Sequence, residues 1–211
     1  MSSHPLAAIL TAAAEGRFPP ADGSVDVLPP DADGTHAVVE LTGHSYVLTD
    51  RPSGDLLARG ADGFGGCTHP DVLRWLAGEG WVGSLDVVLV AGARPGDQLA
   101  ERSDLDDHPR VGRARAHRRD VRVFGDDRGL LTLGRGLAGR MELSVELHDP
   151  AAGGDGAGRV LIAAGLAAAP PGELVWAQVS PGNAASLRAF LACGFVPIGS
   201  EVLLKPRRAR A

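Results

Sequence analysis

The sequence predicts a mixed α/β fold, and three observations lead to that prediction. Short apolar runs rich in Val and Leu are bounded by turns that contain Gly, Pro or Asp, which is typical of strands. Other segments place apolar residues at helical spacing and begin at capping residues, which is typical of helices. In the C-terminal half the two kinds of segment follow one another in the order β-β-β-α-β-α-β.

The N-terminal half is predicted to contain helices, a hairpin and a buried strand. Gly43 and His44 join the two arms of the hairpin and accept the tight conformations of such a turn. Val72, Leu73 and Leu76 recur at helical spacing. The elements are predicted at Pro5 to Glu15, Ser24 to Leu28, Ala37 to Leu41, Tyr46 to Thr49, Pro70 to Leu76 and Leu85 to Ala91.

A charged segment from Gly92 to about Arg119 separates the two halves. It has little apolar periodicity, which favours a boundary or a surface loop, although a helix over part of it stays open. We therefore expect an accessory region at residues 1–115 and a second domain at residues 116–211.

The second half is predicted to begin with a hairpin whose turn runs from Gly125 to Gly129. Its elements are predicted at Asp120 to Phe124, Leu130 to Leu133, Met141 to Leu147, Arg159 to Ala168, Leu174 to Val179, Ala184 to Cys193 and Val196 to Leu204.

Composition excludes several classes of function. A net charge of −5 and a pI near 5.8 argue against a nucleic-acid partner. Cys67 and Cys193 are too few and too far apart for a disulfide framework or a metal site. The apolar stretch from Pro5 to Ala14 is shorter than the roughly 20 residues that a membrane span needs. We expect a cytoplasmic protein without a metal and without a membrane partner.

The strand from Met141 to Leu147 carries carboxylates on one face only. Its odd-numbered positions are apolar, whereas Glu142, Ser144, Glu146 and the following His148 share the other face. A solvent-facing strand edge explains this pattern as well as a polar site does.

A glycine-rich loop at residues 153–158 lies between that strand and the next helix. Its amides and the helix start could form a concave donor site for a phosphate, while a flexible turn is an equal explanation. The strand order gives little support to nicotinamide binding.

The helix near the C-terminus has a well-formed start and end. Asn183 is a good N-cap, and Gly194 can close the helix before Phe195. Between them, Leu187, Phe190 and Leu191 make an apolar stripe.

Taken together, residues 120–204 resemble the GNAT acyltransferase superfamily. Gly154, Gly156 and Gly158 match the glycines of the family's pyrophosphate loop. The later family signature is matched in its spacing by Asn183, Ser186, Phe190, Gly194 and Phe195. The resemblance implies a mixed, mostly antiparallel sheet flanked by helices, acetyl-CoA as acyl donor, and an unidentified amine as acceptor.

The resemblance also implies a set of site residues. An amine attacks the thioester directly in this family, and a strand carboxylate takes its proton, which makes Glu142 the first candidate base and Glu146 the second. A solvated or paired carboxylate is an equal explanation for either. Residues expected to bind the cofactor are Leu147, His148, Gly153, Gly154, Asp155, Gly156, Ala157, Gly158, Arg159, Asn183, Ser186 and Phe190.

Three positions depart from the family pattern. Gly153 replaces the usual Arg or Gln, Asp155 adds a negative charge beside the expected pyrophosphate, and Phe190 stands where many members carry a tyrosine that protonates the leaving thiolate. These departures favour an alternative function, a non-catalytic GNAT-like protein that binds a ligand or partner.

The N-terminal half contains a weak sign of an internal repeat, here called the echo. Leu73 precedes Gly80 and Trp81 by the offset that separates Leu187 from Gly194 and Phe195. The accessory region is therefore a candidate for a degenerate copy of the same fold, although chance explains the echo as well. A homodimer is compatible with the sequence.

Overall fold

The computed structural model describes residues 3–149 and 156–207. The chain divides into two compact units. Unit 1 consists of Met1–Val88 and Ile198–Ala211, and unit 2 consists of Leu89–Pro197. The division expected from the sequence, at residues 115 and 116, stays a prediction.

The helices of the described chain are α1 (Pro5–Ala14), α2 (Ser53–Leu57), α3 (Pro70–Ala77), α4 (Pro109–His117), α5 (Ala157–Ala168) and α6 (Ala184–Ala192). The strands are β1 (Val25–Leu28), β2 (His36–Glu40), β3 (Ser45–Leu48), β4 (Trp81–Val82), β5 (Asp86–Gly92), β6 (Arg119–Asp126), β7 (Gly129–Arg135), β8 (Met141–Leu147), β9 (Leu174–Val179) and β10 (Val196–Lys205).

The fold is mixed α/β, with mostly antiparallel strand pairing and flanking helices, as the sequence predicts. β2 pairs with β3 and β10, β4 with β10, β6 with β7, and β7 with β8, all antiparallel. β1 pairs with β3, and β8 with β9, in parallel.

Unit 1 is organised around the strand order β1-β3-β2-β10. The side chain of His69 caps α3 by accepting a hydrogen bond from the backbone N–H of Asp71, and Pro70 occupies the first turn. Val72 and Leu76 then face inward and pack with Val38 and other apolar side chains of the sheet. This amphipathic spacing is the one that predicts the helix from sequence.

Unit 2 has the strand order β5-β9-β8-β7-β6. Helix α5 packs on β7 and β8 and buries Leu161 and Ile162. Gly165 lets α5 approach β8 closely, since a Cβ on this glycine would lie 2.5 Å from Cδ1 of the buried Leu143. The apolar face of β8 therefore points to α5, and its polar face points away from that helix.

The charged segment that the sequence marks as a boundary or surface loop contains a helix. His108 caps α4 by accepting from the backbone N–H of Arg110, and Pro109 stands in the first turn. Val111 and Ala114 are buried one turn apart, whereas Arg113 between them and Arg115 after them are exposed. The apolar stripe of this helix has only these two members. Among so many arginines, two apolar residues are too weak a pattern to predict a helix from the sequence.

Candidate functional site

The parallel ladder between β8 and β9 is short. β8 pairs with β7 along its whole length, from Met141 to Leu147. It pairs with β9 only at Met141 with Val175 and at Glu142 with Trp176. From Leu143 onward, β8 has no ladder with β9 in the part of the chain that the structure describes. This open edge presents backbone N–H and C=O groups to which an extended polar ligand can add as a strand does.

Helix α5 begins beyond the end of β8. Gly156 is its N-cap and adopts the left-handed conformation with φ 86°. The first-turn amides of any α-helix lack partners within the helix and favour an anion. Among the described residues, no atom outside the adjoining residues and the helix's own backbone would lie within 4 Å of a Cβ on Gly158, so none of them fills the space beside this turn. Arg159 reaches back to this start, with its Nη2 3.2 Å from the place of a Cβ on Gly156.

Three of the predicted loop residues, Gly153, Gly154 and Asp155, lie outside the described residues. Their role in binding a pyrophosphate stays a prediction.

A cavity of about 340 Å³ lies at the junction of β8 and α5. It brings together three predicted cofactor-binding residues, Leu147, His148 and Ala157. His148 is fixed there by two contacts. Its Nε2 lies 3.1 Å from the backbone oxygen of Asp126, and its backbone N–H donates to the backbone oxygen of Arg128. The lining residues are Asp127, Arg128, Leu147, His148, Asp149, Ala157 and Val160.

Glu142 is buried on the polar face of β8 between two guanidinium groups. Arg118 Nε donates to Glu142 Oε2 and Arg140 Nε donates to Oε1, each over 2.8 Å. Burial by itself raises the pKa of Glu142, but the charges and hydrogen bonds of Arg140 and Arg118 outweigh it, and the pKa lies below its ordinary value. With both oxygens engaged and the pKa lowered, this carboxylate is poorly placed to accept a proton. Its assignment as a base stays a prediction that these surroundings do not favour.

Arg118 crosses the polar face of the sheet. Its Nη1 lies 3.3 Å from Thr132 Oγ1 on β7 and 3.3 Å from Ser144 Oγ on β8. Its Nη2 donates to Gln178 Oε1 on β9 over 3.4 Å. One side chain therefore touches three strands, including both strands of the short parallel ladder.

Glu146 lies two residues further along the same face. Arg110 of α4 donates from Nε to Glu146 Oε2 over 2.6 Å. The Glu146 side chain is 38% exposed, in contrast to 5% for Glu142. Among the described residues its other oxygen accepts no hydrogen bond, so Glu146 is the more accessible of the two candidate bases.

The residues predicted on α6 have structural contacts. Asn183 caps the helix by accepting from the backbone N–H of Ser186 at 3.1 Å. Phe190 is buried and packs edge to face against Phe195, with ring centroids 4.9 Å apart. Their proposed contribution to cofactor binding stays a prediction.

Sequence reasoning missed the residues that organise the polar face. Arg118 belongs to an arginine-rich run in which nothing distinguishes it from its neighbours. Gln178 had a usable signal, since it is the one polar residue in the strand Leu174–Val179. A polar residue within an otherwise apolar strand needs a hydrogen-bond partner, which marks it for attention.

Comparison with known proteins finds similar solved structures. No protein-family model matches the chain, and no curated protein matches it either. A solved structure described as an acetyltransferase of the GNAT family, from Novosphingobium aromaticivorans, is similar at 19% sequence identity and a TM-score of 0.41. The match covers 60% of this chain and 66% of that chain, just under two thirds of its length.

Residues 3–149 and 156–207 make up the part of the chain that the structure describes. They contain no helix with the length and apolar character needed to cross a bilayer. They also contain no group of three or more His, Cys, Asp or Glu side chains that could hold a metal ion.

Proposed function

We propose that this protein is an acyl-CoA-dependent N-acyltransferase that transfers an acetyl group from acetyl-CoA to an amine. The observation that carries the proposal is the parallel ladder of β8 and β9, which ends after Glu142 and Trp176 and leaves an open edge on β8. The amides of an extended pantetheine arm can hydrogen-bond to such an edge.

The junction of β8 and α5 suits the other end of the same ligand. The amides at the start of α5 and the guanidinium of Arg159 favour a pyrophosphate. Leu147, His148 and Ala157 would contact the ligand from the neighbouring cavity. Gly153, Gly154, Asp155, Gly156 and Gly158 complete the proposed binding loop, with Asn183, Ser186 and Phe190 on the side of α6.

The proposed reaction is a direct transfer. Acetyl-CoA supplies an acyl group activated as a thioester. The amine nitrogen bonds to the acyl carbon while the carbon–sulfur bond breaks, and the proton lost by the amine balances the one gained by the thiolate. Glu146 is the base that the geometry favours, because it is partly exposed and only one of its oxygens is bound by Arg110. Glu142 acts instead as an anchor for Arg118 and Arg140.

A second candidate is a non-catalytic protein that binds acyl-CoA or a related ligand. Two observations favour it, since Glu142 is engaged by two arginines and the buried ring of Phe190 offers no proton to a thiolate. Acetyl-CoA binding without release of free CoA in the presence of any amine would select this candidate.

Isothermal titration with acetyl-CoA tests both. We expect micromolar binding by the wild-type protein and at least about tenfold weaker binding by Gly158→Leu, because the new side chain enters the open space beside α5. Gly112→Leu is the matched control, since Gly112 lies in helix α4 and none of the described residues outside that helix would lie within 4 Å of its Cβ. No binding at millimolar acetyl-CoA would exclude the acyltransferase and favour a non-catalytic protein that binds another ligand or a partner.

A further inference from the structure

The carboxamide of Gln178 contains a buried donor without an acceptor. Its Oε1 accepts from Arg118 Nη2, whereas its Nε2 is buried and has no hydrogen-bond partner among residues 3–149 and 156–207. Turning the amide over would point its N–H groups at the guanidinium, so the orientation is fixed by chemistry. A buried donor without an acceptor destabilises a fold and therefore indicates a water molecule or a ligand.

The terminal nitrogens of Arg118 are also weakly engaged. Their contacts with Thr132, Ser144 and Gln178 run from 3.3 to 3.4 Å, longer than the usual 2.9 to 3.0 Å of an N–H···O bond. All three partners are neutral, and the ion pair with Glu142 uses Nε. Arg118 and Gln178 thus offer several N–H donors to an additional group that accepts hydrogen bonds.

These donors lie at the mouth of the opening between the strands. If the register of Glu142 with Trp176 continued, Ser144 would stand opposite Gln178. Ser144 and Gln178 are the first pair on the polar face beyond the last ladder residues, and Arg118 contacts both. From Ser144 to His148, where β8 has ended, the chain covers about 13 Å at about 3.3 Å per residue. The donors are therefore remote from the proposed pyrophosphate site and lie at the other end of the open edge, toward which the thioester end of the extended ligand would point.

A carboxylate fits this donor set better than a neutral group. It has two oxygens and a charge, which suit a guanidinium and an amide N–H side by side. On the polar face of β8 it would belong to the acceptor, and a carboxylate this near the reacting amine is that of an amino acid. Resting on the proposed function, we infer that Arg118 and Gln178 bind the carboxylate of an amino-acid acceptor.

The experiment compares each L-amino acid with its α-carboxamide, which keeps the amine and the side chain but removes the charge. Acetyl-CoA binding is measured first, and its absence would overturn both the proposed function and this inference. Once binding is established, two quantities are measured for each acid and its amide. The first is kcat/KM for acetyl transfer, and the second is the affinity of the acid or amide for the protein, by titration in the presence of CoA. We expect at least one acid to exceed its amide by roughly tenfold to a hundredfold in both measurements.

Variants at Gln178 assign the preference to this pair of residues. Gln178→Met removes the donor at similar size and should lower the ratio of acid to amide, while Gln178→Glu places a carboxylate against Arg118 and should reverse it. Gln98→Met is the matched control, since Gln98 is exposed and its Nε2 donates to the backbone oxygen of Ala167. The inference fails if no acid is preferred over its amide. It also fails if the Gln178 variants lower turnover of acid and amide equally, which is the result expected if Gln178 donated to the acyl oxygen instead.

Discussion

Replacing Glu142 by Gln removes a buried charge while keeping the size of the side chain. The arginine contacts are 2.8 Å long on both oxygens, and the side chains of Arg118, Arg140 and Glu142 are 11%, 4% and 5% exposed. Removing one partner of a buried ion pair costs about 3–5 kcal/mol, because the remaining charge stays buried. Since Gln keeps one oxygen, we expect the lower end, about 3 kcal/mol.

Urea unfolding followed by circular dichroism measures this difference. With an m-value of about 2 kcal/mol/M, a loss of about 3 kcal/mol lowers the midpoint by about 1.5 M. Glu146→Gln is the matched control, since the Arg110–Glu146 pair is about one third exposed and exposed pairs contribute less than about 1 kcal/mol. Equal midpoints for the two variants would refute the view that Glu142 anchors the polar face.

The same comparison has a defined pH dependence. The pKa of Glu142 is lower in the folded protein than in the unfolded chain, so its contribution to stability is complete above the unfolded-state pKa and is lost as the pH falls through the folded-state pKa. The advantage of wild type over Glu142→Gln should therefore be full at neutral pH and should shrink only in acid, below the ordinary glutamate pKa. An advantage that stays constant into acid would contradict the ion pairs as its source.

Two further predictions concern stability away from the candidate site. Burial raises the pKa of Glu40, although hydroxyl hydrogen bonds oppose it, so the ionised side chain lowers stability as the pH rises from the unfolded-state pKa through the folded-state pKa. Glu40→Gln should therefore raise the melting temperature at neutral pH and lose that gain in acid. An unchanged melting temperature at neutral pH would contradict this. Gly165→Ala should destabilise the protein by about 1–2 kcal/mol, because its Cβ would press on buried Leu143, whereas Gly112→Ala, with no described neighbour near its Cβ, should stabilise it by about 0.5–1 kcal/mol. A urea midpoint for Gly165→Ala that equals or exceeds that of wild type would show that packing at Gly165 is looser than described.

The sequence by itself determined the elements whose signals are local. The alternation from Met141 to Leu147 predicts a strand with one polar face, and Asn183 with Gly194 predicts the two ends of a helix. These features depend on residues a few positions apart, so the chain encodes them directly. The mixed α/β fold class follows from the order of such elements.

Local signals also located part of the candidate site. Leu147, His148 and Ala157 are close in sequence and meet in one cavity where β8 and α5 are joined. Helix α4 falls in the segment where the sequence favours a loop and leaves a helix open, because its buried stripe consists only of Val111 and Ala114 among arginines.

Tertiary structure decided which side chains meet on the polar face. Arg118 lies 24 residues before Glu142 and 60 before Gln178, and only the packing of three strands brings them together. The early end of the ladder between β8 and β9 is equally invisible in sequence, because each strand has a normal apolar pattern of its own. Strand pairing and buried charge depend on long-range contacts, and for this reason the structure gives Glu142 surroundings that its position in the sequence does not reveal.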